Sequence, residues 1–204
     1  MDRTLKLAFF SLIFNIAFTT YYIVFGVTTH SWWLFTLGLY YAILSMVRFV
    51  VLCIKKQKNG ITKFTGVMLM LLTLPLIGTV ILAVVRDRGS VMHEIVMITM
   101  ATYSFTKITF AIINLIKVRK SVAVKLIALR NISLSDAFVS IFALQRSMLV
   151  SFGEMAESDI CIFNAVVGGV VCMIVFLLGF NLVQNRKVLF RNLNGQTDKI
   201  NSNV

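Results

Sequence analysis

The stretch at residues 64–85, FTGVMLMLLTLPLIGTVILAVV, runs for 22 residues without a charged side chain. About 20 consecutive apolar residues are enough for a helix to cross the hydrocarbon core of a bilayer, so this stretch predicts a transmembrane helix. Outward from it, charges occur almost only between further apolar stretches, and the pattern predicts six spans. They lie at about residues 5–26, 32–54, 64–85, 91–116, 122–151 and 160–184.

The composition supports a membrane protein. Hydrophobic residues make up 58% of the 204 residues and charged residues 14%, against roughly 45–50% and 25% in soluble globular proteins. The spans leave only short loops and tails, which excludes a separate soluble catalytic or nucleic-acid-binding domain. We therefore predict an all-α integral membrane protein with a single domain of six transmembrane helices over residues 1–204, in which residues 185–204 form a cytoplasmic tail.

The net charge of +12 is distributed unevenly over the predicted connections. The second and fourth each carry +5, whereas the third nets 0 and the fifth −2. This positive-inside bias places both termini in the cytoplasm and predicts a multi-pass protein of the cell membrane. The basic connections are expected to bind anionic lipid headgroups rather than nucleic acid. Arg48 and Arg146, near span ends, are expected to extend towards the two membrane surfaces.

The short first, third and fifth connections predict helical hairpins between spans 1 and 2, 3 and 4, and 5 and 6. Aromatic side chains cluster near the first of these turns, where an interfacial belt accounts for most of them, because amphipathic rings settle at the headgroup level. They are Tyr21, Tyr22, Trp32, Trp33, Tyr40 and Tyr41.

Polar and small residues recur at helical spacing within the spans, which places them on one face of each helix. In the fifth span they are Ser133, Asp136, Ser140, Ala143, Ser147 and Ser151, and in the fourth Met97, Met100, Ser104, Lys107, Ala111 and Asn114. Weaker faces are Ser11, Asn15, Thr19, Tyr22 and Gly26 in the first span, and Gly38, Tyr41, Ser45 and Arg48 in the second. The sixth has Cys161, Ala165, Gly168, Cys172 and Gly179, which favours a packing seam because small residues let helices approach closely.

Lys107 and Asp136 are stranded within adjacent spans at similar depth. A charge at the bilayer centre costs at least about 2.5–3.5 kcal/mol, so we predict an ion pair or a shared water-filled cavity between the two. Two alternatives stay open: the pair locks the helices together, or it belongs to a substrate or ion site. The candidate substrate-binding residues are Lys107, Asp136, Ser104, Asn114, Ser133, Ser140 and Ser147.

The sequence favours a transporter or channel for a small polar solute or ion. The alternative is a non-catalytic accessory or scaffold protein that binds another membrane protein, and a homo-oligomer is compatible with either. A membrane-embedded enzyme is the weakest candidate, because no H-E-x-x-H, G-x-S-x-G or nucleotide-binding loop is present. The three cysteines include no C-x-x-C pair. We therefore predict no metal and no cofactor. A wet cavity at the polar faces would favour transport, whereas a dry, closed contact would favour the lock.

Overall fold

The computed structural model describes residues 3–54, 60–85, 94–118, 124–152 and 156–201. These residues form six α-helices and no strand. The helices are α1 (Arg3–Thr28), α2 (Trp32–Cys53), α3 (Gly60–Val85), α4 (Glu94–Val118), α5 (Val124–Phe152) and α6 (Glu157–Asn201). The all-helical class is confirmed. The fourth and fifth predicted spans begin at residues 91 and 122, but residues 91–93 and 122–123 lie outside the described residues.

Within the described residues, five helices are long and apolar enough to cross a membrane: α1, α2, α3, α5 and α6. In α4 the apolar section is shorter and comprises Met97–Ile113. The membrane character predicted from the sequence is thus confirmed for five helices. The last helix extends beyond its predicted apolar span, because α6 continues to Asn201.

A tight turn joins α1 to α2. His30 adopts a left-handed backbone conformation with φ of 51°. The amide of Ser31 donates to the carbonyl of Gly26 at 2.9 Å, and that of His30 donates to Val27 at 3.3 Å. This is the Schellman arrangement that ends many helices, with histidine at the position that glycine usually occupies. The turn reverses the chain so that α2 packs back along α1.

The helices pack as three principal pairs, α1 with α2, α4 with α5, and α3 with α6. The helices α2 and α5 are the most buried of the candidate spans, and each contacts both the other and α3. The predicted hairpin of spans 3 and 4 is wrong: among the described residues α3 packs chiefly on α6 and α2, and α4 on α5. Helices α3 and α4 follow one another in sequence but pack on different partners, because α4 turns its polar face to α5, whereas α3 has a small-residue face that fits α6.

The contact between α3 and α6 is made by glycines. A Cβ atom added at Gly66 would lie 2.7 Å from the carbonyl oxygen of Gly179, and one added at Gly179 would lie 2.8 Å from the carbonyl oxygen of Gly66. The two backbones therefore touch, which only residues without a side chain allow. The packing seam predicted for the sixth span is present at Gly168 and Gly179, whereas Ala165 is exposed.

Most of the aromatic residues assigned to an interfacial belt are inside the bundle. Trp32 is 64% exposed, but its neighbour Trp33 is 2% exposed, and Tyr22, Tyr40 and Tyr41 are fully buried. The belt prediction is therefore wrong for these four residues. Position near the end of a span does not determine the direction of a ring, because adjacent residues of a helix point to different faces.

Candidate functional site

The polar faces predicted from helical spacing converge on the interior of the bundle. Every member of the α5 face from Ser133 to Ser147 is buried, and so is every member of the α4 face from Met97 to Ala111. The faces of α1 and α2 are buried as well. Four helices, α1, α2, α4 and α5, thus contribute side chains to one polar interior. The side chains of Asn114 and Ser151 lie outside the described residues.

Asp136 lies at the centre of this interior and binds two cations. Lys107 Nζ donates to its Oδ1 at 2.5 Å, and Arg48 Nη2 donates to its Oδ2 at 3.1 Å. The side chains of Lys107 and Asp136 are 6% and 2% exposed. Of the two sequence-based alternatives, the direct ion pair is the one observed. Arg48 and Lys107 share the carboxylate of Asp136, so this one residue connects α2, α4 and α5.

Aromatic rings enclose the ammonium of Lys107. Its Nζ lies 3.7 Å from the ring centroid of Tyr41 and 4.2 Å from that of Tyr103. A cation over the face of an aromatic ring is stabilised by the ring quadrupole, by about 2 kcal/mol or more where water is excluded. Tyr22 stacks on Tyr41 with centroids 5.6 Å apart, and Phe18 stacks on Tyr103 at 3.4 Å. The rings from α1 thereby hold both tyrosine faces in position.

Arg48 lies inside the bundle, contrary to the prediction from the sequence. It was expected to extend to the membrane surface, but it is 1% exposed and points into the bundle. Besides Asp136, its guanidinium donates to Ser11 Oγ at 2.6 Å and to Ser133 Oγ at 3.5 Å. A guanidinium gains more from a buried carboxylate and two hydroxyls than from extension along an apolar helix, because its planar donors are satisfied in fixed directions.

Hydroxyl groups join the cluster to the backbone of α5. Ser140 Oγ donates to the carbonyl of Asp136 at 2.8 Å and shares a 3.0 Å hydrogen bond with the Tyr41 hydroxyl. Ser104 Oγ donates to the carbonyl of Ser140 at 3.2 Å. Ser147 lies farther along α5, where its hydroxyl donates to the carbonyl of Ala143. Of the candidate residues, Lys107, Asp136, Ser133, Ser140 and Ser104 therefore form one hydrogen-bonded group, and Ser147 lies outside it.

Asn15 adds a further polar group from α1. Its Oδ1 accepts a 2.9 Å hydrogen bond from the Tyr103 hydroxyl. Its Nδ2 is buried and has no hydrogen-bond partner. Asn15 is fully buried and lies one helical turn from Ser11, the residue that accepts from Arg48. A buried N–H group without an acceptor costs roughly 1–3 kcal/mol, so this donor marks a place where an acceptor would be bound favourably.

Arg146 occupies a second buried position, towards the α1–α2 turn. It was expected at the membrane surface, but it is 2% exposed. Its guanidinium carbon lies 4.5 Å from the ring centroid of Trp33, and Nη1 donates to the carbonyl of Ala83 at 2.9 Å. The prediction is wrong because a ring face and a backbone carbonyl near the end of α3 provide an alternative to water. A pocket lined by Gly26, Val27, His30, Ser31, Trp32 and Phe35 lies at the same turn.

Lys125 differs from the expectation for a basic connection. Its Nζ donates to the carbonyls of Leu52 and Ile54 at 2.8 and 3.1 Å. These are carbonyls at the end of α2, where a cation interacts favourably with the helix dipole. Lys125 therefore fastens α5 to α2, in addition to the shared carboxylate.

The sequence predicted the pair of Lys107 and Asp136, but it did not predict that Arg48 also binds Asp136. Arg48 stands at regular spacing after Gly38, Tyr41 and Ser45, and this signal placed it on the polar face of its helix. Among the described residues no group of three histidine, cysteine, aspartate or glutamate side chains could hold a metal ion.

Comparison with protein-family models, with curated proteins and with solved structures finds no match for the chain. The fold and the site therefore define its class by themselves. It is a helical membrane protein whose interior holds a carboxylate bound by an arginine and a lysine.

Proposed function

We propose that the protein is a transporter or channel for a small polar solute or ion, with its site at Lys107 and Asp136. The observation that supports this proposal best is the sharing of one buried carboxylate between two cations. Ionisable residues inside a membrane protein are costly and usually mark a path or a site for a polar substrate. The two donors lie on α2 and α4 and the acceptor on α5, so a movement of α4 against α2 would break one ion pair while the other remains.

On this proposal, all six helices span the cell membrane and both termini face the cytoplasm. The charge bias of the connections supports this topology. It is tested by fusing a reporter that is active only in the cytoplasm to each terminus in turn. Activity of both fusions is the expected result, and an inactive fusion at either end would contradict the topology.

Transport is tested with the full chain reconstituted in liposomes. Loss of ion or solute flux in Lys107→Met is expected, because the substitution removes a cation from the cluster. Lys63→Met is the matched control, since Lys63 is exposed and the same charge is removed. Equal flux in wild type and in Lys107→Met, with both folded, would refute the role of the cluster.

A non-catalytic accessory or scaffold function is the second candidate, and the close packing of the site favours it. Lys107 and Asp136 contact each other directly and are almost inaccessible to solvent. A rigid lock of this kind would be expected in a protein that holds a partner rather than moving a solute. The reconstitution experiment separates the two candidates: a folded wild-type chain that conducts no small solute would leave the scaffold function.

A further inference from the structure

We infer that the buried cluster binds a small monovalent anion of the halide type. The inference rests on the proposed function in so far as it assigns the solute class of the same site. Its first basis is the charge of the cluster. In the part of the chain that the structure describes, the carboxylate of Asp136 is the one acid within ion-pair distance of Arg48 or Lys107. Two cations and one anion leave a formal excess of one positive charge.

An excess charge inside the bundle is unfavourable, because the surroundings solvate it poorly. Arginine does not lose its proton in proteins, so the charge of Arg48 is permanent. A bound anion with a single negative charge would bring the cluster to neutrality. A divalent anion would reverse the sign and restore the problem. Among anions, a monovalent one therefore matches the charge of the cluster best.

Two donor groups in the described part of the bundle have N–H groups without an acceptor. Lys107 has three N–H groups; Asp136 accepts one of them, and the others face the rings of Tyr41 and Tyr103, which accept no conventional hydrogen bond. The Nδ2 group of Asn15 has no acceptor at all, although its residue is fully buried. Tyr103 fixes the orientation of this amide by donating to Oδ1, which leaves the N–H groups for another acceptor. A site that offers ammonium and amide N–H groups is suited to an anion.

The packing restricts the size of the ligand. Asn15, Arg48, Lys107 and Asp136 are each 7% exposed or less. A monatomic ion can be accommodated by small movements of the lysine and asparagine side chains, whereas an extended organic acid would require the helices to separate. Chloride is therefore the probe of choice.

The test is equilibrium binding of chloride to the full-length protein in detergent or nanodiscs. Chloride replaces gluconate at constant ionic strength, and binding is followed by the chloride NMR linewidth and by the melting temperature. Wild type is expected to show saturable binding. Lys107→Met is expected to weaken it roughly tenfold or more, as for the loss of a hydrogen bond to a charged group. Asn15→Leu should weaken it several-fold, whereas the exposed control Lys63→Met should bind as wild type does.

The inference is overturned if wild type shows no saturable response to chloride, or if Lys107→Met binds chloride as tightly as wild type. It is also overturned if tetramethylammonium, and not chloride, stabilises the protein, because the aromatic rings would then be serving an external cation. If Lys107→Met does not fold, the wild-type titration and Asn15→Leu decide.

A flux measurement in liposomes separates this inference from the proposed function. Chloride binding without flux of any solute would refute transport and keep the anion site. Flux of another solute without chloride binding would keep transport and refute the anion site.

Discussion

Replacement of Asp136 by asparagine removes the carboxylate that Arg48 and Lys107 share, and leaves the shape of the side chain unchanged. Loss of one partner of a buried ion pair destabilises proteins by about 3–5 kcal/mol, because the other charge stays buried without compensation. Here two cations lose their partner at once. We therefore expect Asp136→Asn to lower the free energy of unfolding by at least this amount.

The repulsion between the two cations follows from the geometry. They bind opposite oxygens of one carboxylate at 2.5 and 3.1 Å. Their nitrogens are therefore at most about 8 Å apart, and at an effective dielectric constant of about 20 the repulsion is at least about 2 kcal/mol. Adding Lys107→Met to Asp136→Asn removes this repulsion. The double variant should be more stable than Asp136→Asn by at least about 2 kcal/mol, or by roughly 4–8 °C in melting temperature.

Thermal unfolding of purified protein in one detergent measures the difference, with chloride held constant. Adding Lys63→Met to Asp136→Asn is the control, because it removes an exposed positive charge and should recover nothing. A double variant no more stable than Asp136→Asn would refute the reasoning, since the cations would then not be coupled through the carboxylate.

Three further predictions concern the rest of the bundle. Gly66→Ala should lower the free energy of unfolding by about 1–3 kcal/mol through overpacking, because its Cβ would lie 2.7 Å from a carbonyl oxygen of α6. Gly78→Ala is the control, because its Cβ meets nothing within 4 Å and should not destabilise the protein. Unfolding curves of the two variants test this difference. Arg146→Lys keeps the charge but loses the planar contact with the Trp33 ring, so we expect a loss of about 0.5–2 kcal/mol and a changed tryptophan emission spectrum. His30→Gly should raise the melting temperature, since glycine adopts the left-handed conformation of this turn without strain; an unchanged or lower value would contradict the strain.

The apolar pattern of the sequence was sufficient to predict the helices and the interior position of their polar faces. It was also sufficient for the ion pair, because Lys107 and Asp136 have no favourable alternative within an apolar span. The direction of Arg48 could not be deduced in the same way. A long side chain near a span end can reach either water or the interior, and the choice depends on the distance to Asp136, which only the packed structure provides.

The sequence also did not predict which helices pack against each other. Small residues at regular spacing predict that a helix has a close neighbour, but they do not specify which one. Gly66 could have packed on any helix with a matching gap, and its contact with Gly179 depends on the shape of both faces. The interior position of Trp33 and Tyr41 has a similar origin, since the rotation of α2 is set by its contacts with α1 and α5.

The pairing of α3 with α6 has a consequence for assembly during synthesis. Gly179 leaves the ribosome long after Gly66, so α3 has to remain in the bilayer while its partner is still being made. The two helices of this pair are the most apolar of the candidate spans, so lipid alone is an adequate solvent for α3 while it waits. The polar faces of α4 and α5 would be poorly solvated by lipid, and these helices follow one another directly. The order of the segments therefore shortens the time during which Lys107 lacks Asp136.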